Sequence, residues 1–409
     1  MTSLTLDLLL QATVAGGPSC LTSTTELQPA GGLHTSVAPA KFALPRSQDG
    51  VYAYEQRFLD GVARPAVIID SKQSQLNRAE VALQQAIDDG HPVLSRLPHV
   101  VVTYRRDGVE ERYTDLMLPH RIYDGHIRAG FLNGEPVTAD ERYQAVRNAT
   151  PGNARALLET SPVTLVFGGW DSSRRARQGR WRSALVGEII GFCADHGANQ
   201  SSRVLRGGAR VDPVAMQVRL GQKAMMNVAD AQRDELSPKN YSKIKTAAEK
   251  SGKDKQPTSA SGLGLGGVPP TLEQLAGVAC ERVIRSHVLS FATLRQMRFG
   301  AGPEADVACR ALLAALALNG LARSDAELYL RANCDLIEAS APVLTLDRRN
   351  GQLDSVERLT VTDADALLAD ALQHAESVAE VRWNGVVLQI TGNQDVIAGA
   401  VDEEEGASA

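Results

Sequence analysis

Five arginines, Arg174, Arg175, Arg177, Arg180 and Arg182, crowd into one stretch and are interleaved with Trp170 and Trp181. A guanidinium carries paired N–H donors that fit phosphate oxygens, and an indole offers a flat face on which a base can stack. Gly168, Gly169 and Gly179 lack a Cβ, so the backbone there can come close to a ligand. A solvated basic loop, anchored to the core by its tryptophans, would use the same residues. The surrounding composition favours the polyanion. Residues 168–250 hold 15 Lys+Arg against 8 Asp+Glu, whereas the whole 409-residue chain has a formal net charge of −5. Positive charge is concentrated in one stretch of an otherwise acidic chain, which suits a protein with one basic face or groove.

Three further sets of residues can do chemistry. Gln73, Ser74, Asn77 and Arg78 stand at the start of a predicted helix, where small hydrogen-bonding groups and unsatisfied N–H groups make an anion site. Taken alone, capping and a solvent face explain them equally well. His120, Arg121, Asp124 and His126 suggest metal or acid–base work, and His120 and Asp124 are four apart, as on one helical face. No HExxH-type pattern or carboxylate cluster completes such a site, which favours a structural or RNA-contacting role for His120 and Arg121. Lys239, Lys243 and Lys245 lie in a lysine-rich stretch with few apolar neighbours. The glycines of 262–267 superficially resemble a nucleotide fingerprint, but no strand precedes them, so they read as a linker. No GxSxG motif, P-loop lysine or Cys/His nucleophile pair occurs. The five cysteines are odd in number and widely spaced, so neither a zinc knuckle nor a disulfide framework is expected. Neither a metal nor a cofactor is implied, and the chain reads as non-catalytic.

The elements that must hold these residues follow from periodicity. Residues 71–88 predict a helix, with Leu76, Ala79, Leu83, Ala86 and Ile87 on one face and Ser71 as its cap. Residues 99–118 predict a hairpin turning at 105–108, and 119–130 a short helix between Pro119 and Gly130. Strands are expected at 4–14, 66–70, 163–167, 283–291 and 328–339, with helices at 304–321 and 364–380. The Gly- and Pro-rich stretch 15–50 reads as a loop or thumb insertion, 236–271 as a mobile insertion, and 402–409 as a disordered acidic tail. Mixed strands and helices with large insertions predict one elaborated α+β domain. No run of eighteen apolar residues occurs, and no basic segment precedes the apolar stretch 4–10. A cytoplasmic protein with no membrane partner is the expectation.

Several separated segments together resemble one family: SKQSQLNRAE at 71–80, HRIYDGHI at 120–127, VFGGWDS at 166–172, RSALVGEIIGF at 182–192, LSFATLRQMRF at 289–299 and LYLRANCDL at 328–336. Their order and spacing are similar to the Cas-seven-type backbone subunit of type I-G (formerly I-U) CRISPR effectors, within the RAMP superfamily. The resemblance spans roughly 60–340. It departs at GLGLGGVPP, where relatives have a His-Gly-Asn-Ile-Pro-Pro loop, and at TELQPAGGLHTS, where they have a Phe-Gln-Pro-Thr-Gly run. The resemblance implies a modified RRM-like (ferredoxin-like) palm with inserted finger and thumb elements. It also implies a guide RNA (crRNA) as ligand, further copies assembled head to tail, target DNA read by base pairing, and other CRISPR effector subunits as partners. Under it, Gln73, Ser74, Asn77, Arg78, His120, Arg121, Trp170 and the five arginines would contact RNA, and the three lysines would face DNA. The alternative from another class is a metal-dependent RAMP-type endoribonuclease using His120, Asp124 and Asp171.

Overall fold

The computed structural model describes residues 2–43, 50–106, 108–176, 178–194, 206–208, 216–254, 256–266, 271–273 and 276–399. The elements that matter for the site begin with helix α1 (Leu6–Thr13), strand β1 (Cys20–Pro29), the hairpin β2 (Tyr54–Leu59) and β3 (Val62–Asp70), and helix α2 (Lys72–Asp88). The hairpin β4 (His99–Arg106) and β5 (Val109–Thr114) follows, with helices α3 (Glu141–Arg147) and α4 (Pro162–Phe167) and strand β6 (Leu185–Cys193). Then come helices α5 (Gln222–Ala231) and α6 (Pro238–Asp254), strand β7 (Cys280–Ser290), and helix α7 (Pro303–Ala326). Strands β8 (Val343–Asp347) and β9 (Leu353–Val356), helix α8 (Val361–Ala379) and strand β10 (Val386–Thr391) complete the set.

The main sheet runs β9-β8-β1-β7-β6-β3-β2, with the short strand Leu336–Glu338 also pairing β1. Its centre, β8-β1-β7-β6, is antiparallel at every step. In sequence α2 lies between β1 and β6, and α7 between β7 and β8, so these six elements form a β-α-β-β-α-β unit. The α+β, RRM-like class expected from sequence is what the chain adopts, with the β2–β3 hairpin widening the sheet beyond β6. Alternation sets the faces: Leu21, Ser23, Thr25 and Leu27 of β1 and Val283, Arg285, His287 and Leu289 of β7 are buried. On that side α7 meets α2 closely, with Gly320 against Ala79 and Leu83. By length and composition α7 is apolar enough to cross a membrane, yet 94% of that window is buried inside the protein. Its apolarity fills the core. A second sheet, built on β5-β4-β10, pairs β4 and β10 in parallel.

Several expectations hold. α2 starts after Ser71, whose Oγ accepts from Ser74 N at 3.3 Å, and the 99–118 hairpin, the β7 strand, α7 and α8 are where periodicity placed them. Others need correction. Residues 4–14 hold a helix, not a strand, because Thr5 caps it and Leu8, Leu9 and Ala12 share a buried face. Residues 163–167 are helical too: Pro162 occupies the first turn, and all six residues of α4 are buried, so no period could distinguish helix from strand. The stretch 15–50 is not simply a loop, since β1 lies within it at the centre of the sheet. Its Thr- and Ser-rich alternation hid a strand whose buried face is half polar. Of 328–339 only Leu336–Glu338 is strand. The segment 119–130 breaks in two, a single turn at Arg121–Tyr123 and a helix at Gly125–Arg128, with Asp124 extended between them.

The chain divides into two compact units, residues 1–200 with 277–409, and residues 201–276. Within the second, the stretch 236–271 is not without a core: α5 and α6 pack Met225, Ala229, Ile244, Ala248, Ala260 and Leu263 together. Leu263 belongs to the glycine stretch read as a linker. The acidic tail 402–409 lies outside the described residues. Among the described residues all five cysteines are free thiols.

Candidate nucleic-acid interface

The arginine-rich loop is closed at its base by a short ribbon in which Gly169 pairs with Trp181 and Trp170 with Arg180. Trp181 turns inward and donates from Nε1 to Tyr123 Oη at 2.8 Å, while Trp170 stays 48% exposed. Tyr123 belongs to the turn at Arg121–Tyr123, and that turn is pinned from below. Arg121 donates from Nη2 to Glu80 Oε2 of α2 at 2.7 Å, from Nε to Oε1, and from Nη1 to the Gly168 carbonyl at 3.1 Å, with its guanidinium 5.9 Å from the Phe167 ring. Burial pushes Glu80 up to about 7 against the pull of Arg121. Arg121 is thus a strut between α2 and the loop.

The three glycines each pack closely against other parts of the protein. A Cβ on Gly179 would sit 3.0 Å from Tyr123 Oη, and one on Gly169 would meet Thr164 and Tyr123. Gly168 has φ +90, and a Cβ there would come within 2.7 Å of Ser183 Oγ. Asp171 begins the loop buried, accepting from Arg147 Nε at 2.9 Å and Nη2 at 2.8 Å. Arg174 turns back to the Arg147 carbonyl and to Asn148 Oδ1, the latter at 2.6 Å. Gln178 ties the loop to itself through the Ser172 and Arg174 carbonyls, both at 2.9 Å.

Among the described residues of this group Arg175, Arg180 and Arg182 are exposed, and Arg180 stacks over the Trp170 ring at 4.6 Å. Arg177 lies outside the described residues. Two clefts open here and share Pro151, Arg180 and Trp181. One, of about 440 Å³, is completed by Arg147, Asn148, Thr150 and Gln178. The other, of about 390 Å³, is completed by Arg182, Ala292, Thr293, Gln296 and Met297. The loop arginines are therefore not scattered: Arg180 and Arg182 rim adjoining clefts, with Arg174 bound to the Arg147–Asn148 wall. Sequence reasoning missed Arg147, Asn148, Gln178 and Gln296, because their roles arise from chain segments brought together only by folding.

The remaining candidates are placed as follows. Gln73 and Asn77 are exposed near the start of α2. Ser74 donates to Asp70 Oδ1 at 2.9 Å, and Arg78 Nε to Asp70 Oδ2 at 3.0 Å. Gln75 and Arg331 complete the shell around this buried carboxylate. Burial pushes Asp70 up, but the hydrogen bonds from Arg78, Gln75 and Ser74 outweigh it and hold the group below its ordinary range. His120 is exposed, while Asp124 accepts from the backbone N–H groups of His126 at 2.9 Å and His120 at 3.2 Å. His120 and Asp124 thus do not sit on one continuous helix. With Asp124 capping a helix and Asp171 clasped by Arg147, both acids of the nuclease alternative are engaged within the protein. No group of three His, Cys, Asp or Glu suited to a metal ion exists among the described residues. Within the second unit Lys239, Lys243 and Lys245 are all exposed on α6. At 100° per residue Lys239 and Lys243 share a stripe with Lys250 and Lys253, whereas Lys245 points to a different side.

Residues 21–196 match the model of a family described as CRISPR-associated protein GSU0053. The match runs from β1 through the β2–β3 hairpin, α2 and the arginine-rich loop to the end of β6. It supports a CRISPR-associated role for the chain, and a protein of that kind works with other CRISPR components. No curated protein matches the chain.

Proposed function

We propose that this chain binds guide RNA (crRNA) through its sugar-phosphate backbone, as a repeated, non-catalytic subunit of a cytoplasmic CRISPR effector complex. In this reading copies of the chain follow one another along the RNA, and target DNA is recognised by pairing with the guide rather than by the protein. The observation that carries it is the convergence of exposed Arg180 and Arg182, with exposed Trp170 alongside, on two adjoining clefts. Guanidiniums contact phosphates without regard to sequence, and an exposed indole stacks on any base. The RRM-like sheet and the CRISPR-associated family match support the same reading. Arg175 and Arg177 would add phosphate contacts from the loop. Gln73, Asn77 and His120 would add polar contacts. Ser74, Arg78, Arg121 and Arg174 would act mainly by holding the frame, since each is already bonded within the protein. The lysine stripe of α6 would meet the DNA strand.

The test is a triple variant, Arg175→Ala, Arg180→Ala and Arg182→Ala, measured by RNA binding over a range of salt. Affinity should fall alike for unrelated RNA sequences, and the slope of log K against log salt should become shallower by about 2 units, at ~0.7 per lost phosphate contact on a single strand. Unchanged affinity with an unchanged slope would remove the reading.

A further inference from the structure

We infer that a narrow cleft at the C-terminal end of α7 binds a primary ammonium group carried on a short aliphatic stem. The cleft has a volume of about 220 Å³ and shares no lining residue with the two arginine clefts. Its floor is the covered side of the main sheet, where Ser23 of β1 and Leu344 of β8 stand opposite one another in register. Leu318, Leu321, Ala322, Asp325 and Ala326 form one wall, at the three- and four-residue steps that bring side chains to a single face of α7. Leu359 and Val361, at the start of α8, close the other side, with exposed Arg358 beside them.

Two polar groups in this apolar cleft have spare capacity. Asp325 reaches Arg285 Nη2 through Oδ1 at 3.3 Å, and its Oδ2 accepts no hydrogen bond among the described residues. Ser23 Oγ makes none among them either, and both residues line the cleft. Arg285 serves the carboxylate poorly, because its Nη2 is divided between Asp325, Glu338 at 3.3 Å and Thr25 at 3.5 Å. Glu338 is in turn paired with Arg358 at 3.4 Å. These three charges, Arg285, Glu338 and Arg358, are the ones that face Asp325, and burial lifts its carboxyl to about 6 against the pull of Arg285, with Glu338 adding to the rise. A carboxylate in that state gains from a further cation. An anion would meet Asp325 head on, and a wholly apolar ligand would leave Asp325 and Ser23 unpaired. An ammonium has three N–H donors, enough for Asp325 Oδ2 and Ser23 Oγ together, while its methylenes lie along Leu318, Leu321 and Leu344. The volume is below the ~300–1,000 Å³ that holds drug-sized molecules, so the stem must be short and unbranched. A free alkyl diamine and the lysine side chain of a partner protein share this chemistry.

The experiment uses the full chain, freed of RNA by nuclease and high salt, and saturation-transfer NMR with n-pentylamine, cadaverine, Nα-acetyl-lysine methylamide and n-pentanol. At about pH 8 alkylamines are still cationic, and the methylenes of n-pentylamine should receive saturation while n-pentanol binds about tenfold more weakly. Asp325→Asn should weaken amine binding by about the same factor. Ala326→Phe, at an exposed position in the cleft wall, should block amine and alcohol alike while leaving thermal unfolding unchanged; it decides alone if Asp325→Asn does not fold. Affinity for the amines should fall as pH is lowered through about 6, because a protonated Asp325 no longer attracts a cation. Binding of the blocked lysine along with the amines assigns the cleft to a lysine side chain, and binding of the amines without it assigns the cleft to a free diamine. No amine binding, pentanol binding as tight as pentylamine binding, or amine binding unaltered by the variants overturns the inference. None of these outcomes bears on the RNA reading, which uses other residues.

Discussion

Arg121 and Arg180 lie within the same neighbourhood and have the same side chain, yet their environments give them opposite tasks. Arg180 is exposed over Trp170 and can leave its stack for a phosphate, whereas Arg121 is enclosed between Glu80, the Gly168 carbonyl and Phe167. Truncating Arg121 would strand a buried carboxylate, an outcome that costs about 3–5 kcal/mol where a buried pair loses one member. Arg121→Ala should therefore lower the urea midpoint markedly. The double change Arg121→Met with Glu80→Leu, which removes both charges, should cost less. Equal losses for the single and double variants would show that the pair is not what holds the turn. RNA binding lost in Arg121→Ala would report a collapsed platform, not a missing contact.

At the scale of elements, strands β6 and β7 meet through an unusually close approach. His287 of β7 lies over Gly187 of β6, where a Cβ would stand 2.0 Å from the imidazole Cδ2 and 2.4 Å from Nε2. Gly187→Ala should destabilise the protein by about 1–3 kcal/mol through overpacking. Adding His287→Ala should recover part of that loss, and denaturant unfolding of the single and double variants measures the coupling. A fully additive pair would mean that the overlap relaxes elsewhere. Elements were legible from sequence where a single face is apolar, as in α2 with its Leu76, Ala79 and Leu83 stripe. They were illegible where both faces are buried, as in α4, or where the buried face carries Ser23 and Thr25, as in β1. In those places periodicity of hydrophobicity carries no information about the backbone.

For the molecule as a whole, the buried titratable groups of the core pull stability in opposite directions with pH. Burial, reinforced by Arg285, lowers His287 from 6.5 to about 3, so the unfolded chain binds a proton there that the folded one refuses. That contribution is intact above pH 6.5 and is lost as pH falls towards 3. Burial raises Glu80 from 4.5 to about 7 and Asp325 from 3.8 to about 6, so these two make stability fall as pH rises through the same range. Between about pH 4.5 and 6 the two acids outweigh the one histidine and stability falls as pH rises. Between about 4 and 4.5 the histidine and Asp325 roughly offset one another, and below 4 the histidine dominates. His287→Gln should flatten the acid limb of a stability–pH curve by up to ~1.4 kcal/mol per pH unit, the value of one proton. An unaltered acid limb would mean that His287 is already protonated in the folded state.

The α+β class, the capped helix at α2, the 99–118 hairpin and the clustering of arginine with tryptophan were determined by sequence alone, because each depends on residues close together along the chain. Which arginines remain exposed was decided only by tertiary structure. Asp70 takes Arg78, Glu80 takes Arg121 and the Arg147–Asn148 wall takes Arg174, partners distant in sequence or hidden on another element. The same holds for the clefts themselves, whose walls join residues near 150, 180 and 295. A charge in the sequence states what a side chain can bind, but burial and the nearest opposite charge decide whether it is still available.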